Sequence, residues 1–424
     1  MKMSRNGSIL TNLDWLTVLI FIAMSVFGWM NIYGASYTFD STGIFDFSTR
    51  AGKQFVWFVS AIVMGGIMLL IDYKSYDILA YFLYGIMIAV LLVTPFLAHN
   101  VKGSYSWISI GPVSIQPAEF AKCITALALA KYMGRYEYKL RSWRDLVVPF
   151  VLLAVPMFII MVLQRETGSA LVFAAFLLVF YRQGMSGWVL WIGILAIIVF
   201  LLVIRFSIWP ALILLVIFFG VMIWRTWKIK RYYKWLLLLA FSLFVAYSFA
   251  CNLVFTKVLQ PHQRTRIEVL LGMKDDPAGA GYNVTQAKIA IGSGRFLGKG
   301  WRHGTQSQLK YVPEQDTDFI FCTVGEEWGF VGTTCVLLLY LIFILRLIQI
   351  AERQRDTFSQ IYCYSVACIF LFHLTINIGM VLGLLPVIGI PLPFFSYGGS
   401  SMWGFTLLLA ILLRLDAARV EKLH

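Results

Sequence analysis

One carboxylate in this chain stands out by its local chemistry. Asp276 sits in the run Asp275-Asp276-Pro277-Ala278-Gly279-Ala280-Gly281-Tyr282. A residue before proline is biased to extended backbone, and the two glycines permit a tight, close-packed turn. Asp276 is therefore expected on a sharply shaped backbone rather than on a loose tip. It could act there as a general base towards a hydroxyl, or ligate a divalent cation. The competing reading is a turn-forming aspartate with no chemistry of its own. Around it in sequence stand Arg264, Arg266, Lys288, Lys299 and Arg302, cations and fork donors suited to a phosphate or pyrophosphate. Anionic lipid headgroups would attract the same residues. Gly292-Ser293-Gly294 with Gly298 and Gly300 resembles a phosphate-cradling loop, but lacks the strand before and helix after that give such loops their meaning.

A second set of charges falls inside or beside apolar runs. Glu119 and Lys122 follow Pro117, a good first helical residue, and three-residue spacing puts both on one helix face. Ionisable groups within a membrane mark either a function or a paired structural contact, and both readings stay open here. Glu166, in Gln164-Arg165-Glu166-Thr167-Gly168, is of the same class, as is the pair Glu326-Glu327 before Trp328-Gly329. Adjacent glutamates point to different helix faces, so at most one of that pair faces a shared site. Glu327 is carried forward as the candidate.

The elements that must position these residues follow from composition. The 424 residues are 60% hydrophobic and 13% charged, with a mean hydropathy of +0.78. Soluble domains carry about 25% charged residues, so a water-soluble fold is excluded, and the long apolar runs exclude an alternating-strand barrel. The fold class is an all-α polytopic membrane protein. Twelve spans are expected, near 14–35, 54–71, 77–98, 117–133, 146–163, 167–182, 186–204, 208–224, 233–254, 318–346, 360–384 and 398–414. The first is read as an uncleaved span rather than a signal peptide. The six cysteines lie in or at the ends of apolar runs with no metal-like spacing.

The net charge of +14 does not point to nucleic acid, because its basic clusters fall in short connections. They include Lys131, Arg135, Lys139, Arg141 and Arg144, then Arg225, Lys228, Lys230, Arg231 and Lys234. This is the positive-inside pattern, and it places both termini in the cytoplasm. The chain is then one integral membrane domain, 1–424, with a large extracellular segment at 257–318. That segment holds nine Lys/Arg and six Asp/Glu, shows no obvious helix, and is the expected catalytic loop.

The residues resemble a known family at this point. Gln116-Pro117-Ala118-Glu119-Phe120-Ala121-Lys122 is similar to a motif of the SEDS family (shape, elongation, division and sporulation). The blocks from Asp276 to Tyr282, Ile289 to Gly294, Gly298 to Gly300 and Thr317 to Phe321 resemble its large extracellular loop. Asn377-Ile378-Gly379-Met380 and Pro386 to Ser400 resemble its C-terminal signature. Gly304-Thr305-Gln306-Ser307-Gln308 looks like the rod-shape branch rather than the division branch, and adds Gln306 to the candidate substrate-binding residues. The resemblance implies a peptidoglycan glycosyltransferase that polymerises lipid II at the outer face of a bacterial cytoplasmic membrane during elongation. It also implies a class B penicillin-binding transpeptidase and other elongation-complex proteins as partners. Three departures stand out: Glu166 replaces the family's aspartate after a lost proline, Ile388 replaces threonine, and a pair of spans is added within 186–254.

On this reading Asp276 takes the proton of the acceptor hydroxyl. Arg264, Arg266, Lys288, Lys299 and Gln306 hold sugar or pyrophosphate, and no cofactor is tightly bound, although Mg²⁺ or Mn²⁺ could assist. Glu119, Lys122, Glu166 and Glu327 support the site from within the membrane. A lipid-linked sugar flippase is the rival reading, since transporters place coupling charges near the midplane on broken helices. A scaffold that only docks a transpeptidase is the third.

Overall fold

The computed structural model describes residues 11–36, 45–101, 103–111, 113–135, 143–225, 231–259, 261–274 and 280–421. In chain order they form α1 (Trp15–Ser36), α2 (Arg50–Leu70) and α3 (Tyr73–Leu97). A small sheet follows, of β1 (His99–Val101), β2 (Ser104–Ile110) and β3 (Val113–Ile115), antiparallel in the order β1-β2-β3. Next come α4 (Pro117–Met133), α5 (Trp143–Phe158), α6 (Thr167–Val172), α7 (Phe176–Arg182), α8 (Trp188–Phe206), α9 (Ile208–Arg225) and α10 (Arg231–Leu253). The chain ends with α11 (Pro261–Leu270), α12 (Ala280–Ser293), α13 (Thr305–Gln308), α14 (Ile320–Glu352), α15 (Thr357–Val381) and α16 (Gly399–Glu421).

Ten helices among the described residues are long and apolar enough to cross a membrane. The other two expected spans are also helical but shorter: α4 has 17 residues, and Thr167–Arg182 is broken by a 3₁₀ turn between α6 and α7. The fold is an all-α polytopic membrane protein, as its composition requires.

One expectation fails. The segment 257–318 is not free of helix, because α11, α12 and α13 all lie within it. Pro261 opens α11, a first-position proline of the kind that starts helices. Along α12, Ala287 and Ala290 are fully buried, three residues apart on one face. The polar residues around them, Asn283, Thr285, Gln286 and Lys288, hide that stripe in the sequence.

Contacts divide the chain into two compact units, residues 1–184 with 283–424, and residues 185–282. The smaller unit is a packing of α8, α9 and α10 around Val199, Val203, Ala211, Leu215, Phe219, Phe244 and Cys251. In the larger unit, α4 presents Ala118, Ala121, Ala126, Ala128 and Ala130, all fully buried. Small residues let helix backbones approach closely, and α4 packs against both α3 and α15.

Three interruptions give the larger unit its polar interior. Pro156 inside α5 precedes a π turn at Ile159–Leu163, which releases the helix into the Gln164–Glu166 break. Gly329 breaks α14 with φ 65° and ψ −158°, a conformation open to glycine. After α15 the chain runs without helix to Gly399, yet Ile390, Leu392, Phe394 and Phe395 in this stretch are buried. Non-helical backbone is tolerated inside a membrane protein only where other groups satisfy it.

Candidate active site

The first cluster begins at the N-terminus of α4. Its opening turn carries Glu119, where the helix dipole favours an anion, and Lys122 lies one turn on. Lys122 Nζ donates to both carboxylate oxygens of Glu119 at 2.8 Å, with the two residues 0% and 2% exposed. It also donates to His373 Nε2 at 3.0 Å. His373 Nδ1 faces the Pro391 carbonyl at 3.1 Å, an acceptor only, so Nδ1 carries the proton and Nε2 accepts from the ammonium. The three ammonium protons are thereby all engaged, and the charge lies 5.1 Å over the Phe405 ring. The pair is thus a closed, fully buried contact in this geometry.

Glu166 joins the same end of α4. Gln116, the residue before Pro117, donates its side-chain amide to Glu166 Oε1, and Ser169 donates to that oxygen at 2.7 Å. Burial pushes the Glu166 carboxyl up from its ordinary range, only partly offset by the hydroxyls of Ser106 and Ser169. The backbone amide of Gln116 donates to Ser400 Oγ at 3.1 Å, which ties α4 to the start of α16. A Cβ on Gly168 would lie 2.8 Å from the Ile388 carbonyl. Ile388, one departure from the family pattern, thus lies against Gly168, two residues on from Glu166, the other.

Buried side chains satisfy the irregular 382–398 backbone. Asn377 donates to the carbonyls of Asp318 and Ile390 at 2.9 and 2.8 Å. His373 reaches Pro391, Tyr340 donates to the Pro393 carbonyl, and Ser396 Oγ accepts from the Leu392 amide at 2.7 Å. Gln54 in α2 accepts from Gly398 N at 3.1 Å. Close by, Arg50 binds both oxygens of Asp316 at 2.6 and 2.5 Å, while the Asp316 carbonyl takes the Tyr397 amide at 2.8 Å. Sequence reasoning missed the roles of His373, Arg50 and Asp316. A lone histidine in an apolar span was the available signal for the first, and the pairing of the others had none.

The second cluster surrounds the break in α14. Glu326 is the glutamate that meets α13. It accepts from Lys299 Nζ at 2.7 Å, the Gln306 and Ser307 amides at 2.8 and 2.9 Å, and Ser307 Oγ at 2.7 Å. The carboxylate thereby caps the first turn of α13 and anchors Lys299. Glu327 is equally buried, with its carboxylate 2.8 Å from where a Cβ on Gly34 would lie. Gln306 meets the cluster through its backbone amide.

The glycine run serves this break rather than a phosphate. The Lys299 and Gly300 amides donate to the carbonyls of Glu326 and Glu327, both at 3.0 Å. The Phe330 and Val331 amides in turn take the carbonyls of Arg295 and Phe296. A Cβ on Gly294 or Gly298 would sit 2.0 or 2.1 Å from carbonyls of α14. These glycines are needed for backbone-to-backbone approach.

The remaining described candidates fall in both units. Lys288 lies against Gly383, beyond the C-terminus of α15, where the helix dipole favours a cation. In the smaller unit Arg264 pairs with Glu268 at 2.7 Å and stacks 5.0 Å from the Phe255 ring. Arg266 is half-buried on the same helix, α11. Asp276 lies outside the described residues. Among the described residues no three His, Cys, Asp or Glu side chains are grouped to hold a metal.

Comparison with known proteins gives this geometry a context. The FtsW/RodA/SpoVE cell cycle protein model matches residues 14–236 and 181–421. Peptidoglycan glycosyltransferase RodA of Treponema pallidum is 30% identical over 97% of this chain and 99% of its own. Peptidoglycan glycosyltransferase MrdB of Escherichia coli is 32% identical, covering 94% of this chain and 93% of its own. Among solved structures, a chain from a study of how a peptidoglycan synthase complex coordinates polymerization and crosslinking matches with a TM-score of 0.70. It is 24% identical and covers 96% of this chain and 98% of that one. Rod shape determining protein RodA of Thermus thermophilus matches at 0.61, with 22% identity over 96% and 97% of the two chains. These last two likenesses concern the fold. Matched nearly end to end by the family model and by relatives at 30% and 32% identity, the chain belongs to the SEDS family of cell cycle proteins.

Proposed function

We propose that this chain is a peptidoglycan glycosyltransferase that polymerises lipid II at the outer face of the cytoplasmic membrane. The observation that carries the reading is full-length similarity to relatives named as peptidoglycan glycosyltransferases, at 30% and 32% identity. Lipid II carries its disaccharide on a polyprenyl pyrophosphate, so the anomeric carbon already bears a good leaving group. Asp276 accepts the proton of the attacking hydroxyl. Arg264 and Arg266 stabilise the charge that gathers on the departing pyrophosphate, as fixed cations do at a developing anion, and Lys288 and Gln306 add contacts to the same substrate. Lys299 acts through Glu326, by holding the segment that leads into α13. A Mg²⁺ or Mn²⁺ ion would supply the same neutralisation, with Asp276 as the protein ligand. One displacement with no covalent intermediate inverts the anomeric centre.

The catalytic segment 257–318 is extracellular on this reading, and both termini are cytoplasmic, as the basic connections favour. A class B penicillin-binding transpeptidase is the proposed partner, within a larger elongation complex. One structural relative comes from a peptidoglycan synthase complex that coordinates polymerization and crosslinking, which supports a partner of that kind. A flippase is disfavoured because Lys122, the strongest candidate for a moving charge, has all three protons engaged in static contacts. The test is glycan synthesis from lipid II by the purified full-length protein with a class B transpeptidase. Polymer supports the reading. Transbilayer movement of lipid II without polymer would replace it with the flippase.

A further inference from the structure

One cleft in the larger unit plays no part in either cluster. It measures ≈ 440 Å³ and lies where the start of α3, the end of α4 and the start of α15 meet. Lys74, Lys131 and Arg135 line it, and none of the three is in an ion pair among the described residues. Lys131 Nζ donates to the Asp77 and Ile78 carbonyls at 2.6 and 3.1 Å, which fixes α4 against α3. Arg135 donates to Tyr81 Oη at 3.0 Å and lies 4.7 Å over the Tyr132 ring. Its planar guanidinium is thus held in one orientation, with other N–H groups to spare among the described residues. Two carboxylates also line the cleft: Asp356 accepts from Ser359 at the start of α15, and Asp77 stands exposed. Cations outnumber acids by three to two.

The cleft opens onto an apolar ridge. Ile78, Phe82 and Ile86 recur every four residues on α3, exposed by 68%, 66% and 46%. Side chains so spaced share one helix face, and this one runs from the cationic mouth along a span. A free phosphate or nucleotide has no use for that ridge, whereas a lipid needs both parts. Basic pockets between helix ends at the cytoplasmic boundary are suited to anionic headgroups.

We propose that this cleft binds an anionic phospholipid, its phosphodiester held by Lys74, Lys131 and Arg135 and an acyl chain laid along Ile78, Phe82 and Ile86. The claim does not depend on the polymerase reading, because its test is binding. Native mass spectrometry of the delipidated full-length protein would follow titration with phosphatidylglycerol, phosphatidylcholine and glycerol phosphate. Selective retention of phosphatidylglycerol is expected. Lys74→Ala with Arg135→Ala should weaken it about 25-fold, at roughly fivefold for each cation removed. The control pair Arg225→Ala with Lys234→Ala, from a basic cluster in the other unit, should leave it unchanged. Ile78→Ser with Phe82→Ser should weaken phosphatidylglycerol but not glycerol phosphate. Equal retention of the two lipids would overturn the proposal, as would equal losses in both charge pairs. Binding of glycerol phosphate as tight as that of the lipid would reassign the cleft to a soluble phosphate.

Discussion

The two compact units bury their side chains by opposite means. In residues 185–282 the helices α8, α9 and α10 meet over an apolar core, and Ser248 turns back to the Phe244 carbonyl of its own helix at 2.9 Å. In the larger unit Glu119, Lys122, Glu326, Glu327, His373, Asn377 and Asp416 are all at most 2% exposed. Apolar packing tolerates substitution and slippage. A buried polar network tolerates neither, because a group left without its partner keeps its full desolvation cost. The larger unit therefore has the interior that can hold an irregular backbone in one arrangement, whereas α8, α9 and α10 of the smaller one pack as regular helices over apolar side chains.

The sharpest way to break that contrast is at the α4 ion pair. Glu119→Gln leaves Lys122 buried without its counter-charge, a change that costs about 3–5 kcal/mol. Thermal unfolding in detergent should show it, with activity and folded yield falling together. Replacing both residues, Glu119→Leu with Lys122→Met, should recover most of the stability, because two well-packed apolar groups leave no charge behind. A stable but inactive Glu119→Gln would instead move Glu119 into the catalytic set.

His373 comes next in size. His373→Leu removes an acceptor from Lys122 and a donor from Pro391, and should cost about 1–3 kcal/mol by the same measurement. His373→Gln should lose less, since an amide both donates and accepts. Equal losses in the two variants would contradict the assigned tautomer and its role.

Glu166→Gln should have the opposite sign. Burial raises the Glu166 carboxyl above its unfolded value, so the charged form costs stability above about pH 4.3, where the unfolded side chain ionises. Glutamine keeps the oxygen that Gln116 and Ser169 use and removes that cost. The variant should melt at or above the parent near pH 7, and the advantage should fade as pH falls through about 4. An advantage that grew at low pH would refute the assignment. The smallest effect is expected in the other unit, where Ser248→Ala should change stability by no more than about 0.5 kcal/mol. A loss well above that would mean the smaller unit also depends on polar contacts.

Local spacing made part of this structure legible from the sequence. Apolar run lengths gave the helices, and the three-residue interval gave the Glu119–Lys122 pair. Contacts between distant residues left no such trace. His373 lies 251 residues from Lys122, and Asp316 lies 266 from Arg50, so only the fold brings them together. The glycines at 294 and 298 are ambiguous in the sequence because close approach to a backbone and close approach to a phosphate ask for the same residue. Adjacent positions also leave open which glutamate meets α13, since neighbouring side chains on a helix diverge and only the position of α13 selects Glu326.

The central claim is that an acid in the 257–318 segment carries the polymerisation, and Asp276→Asn against Asp275→Asn tests it most directly. Both purified variants would be assayed for lipid II polymerisation at matched expression and matched transpeptidase binding. Loss of a general base costs on the order of 10²–10⁴ in rate, so Asp276→Asn should fall by that factor while Asp275→Asn stays near the parent. Near-normal polymerisation by Asp276→Asn would contradict the account, and equal losses in both would replace the single base with a shared cation site.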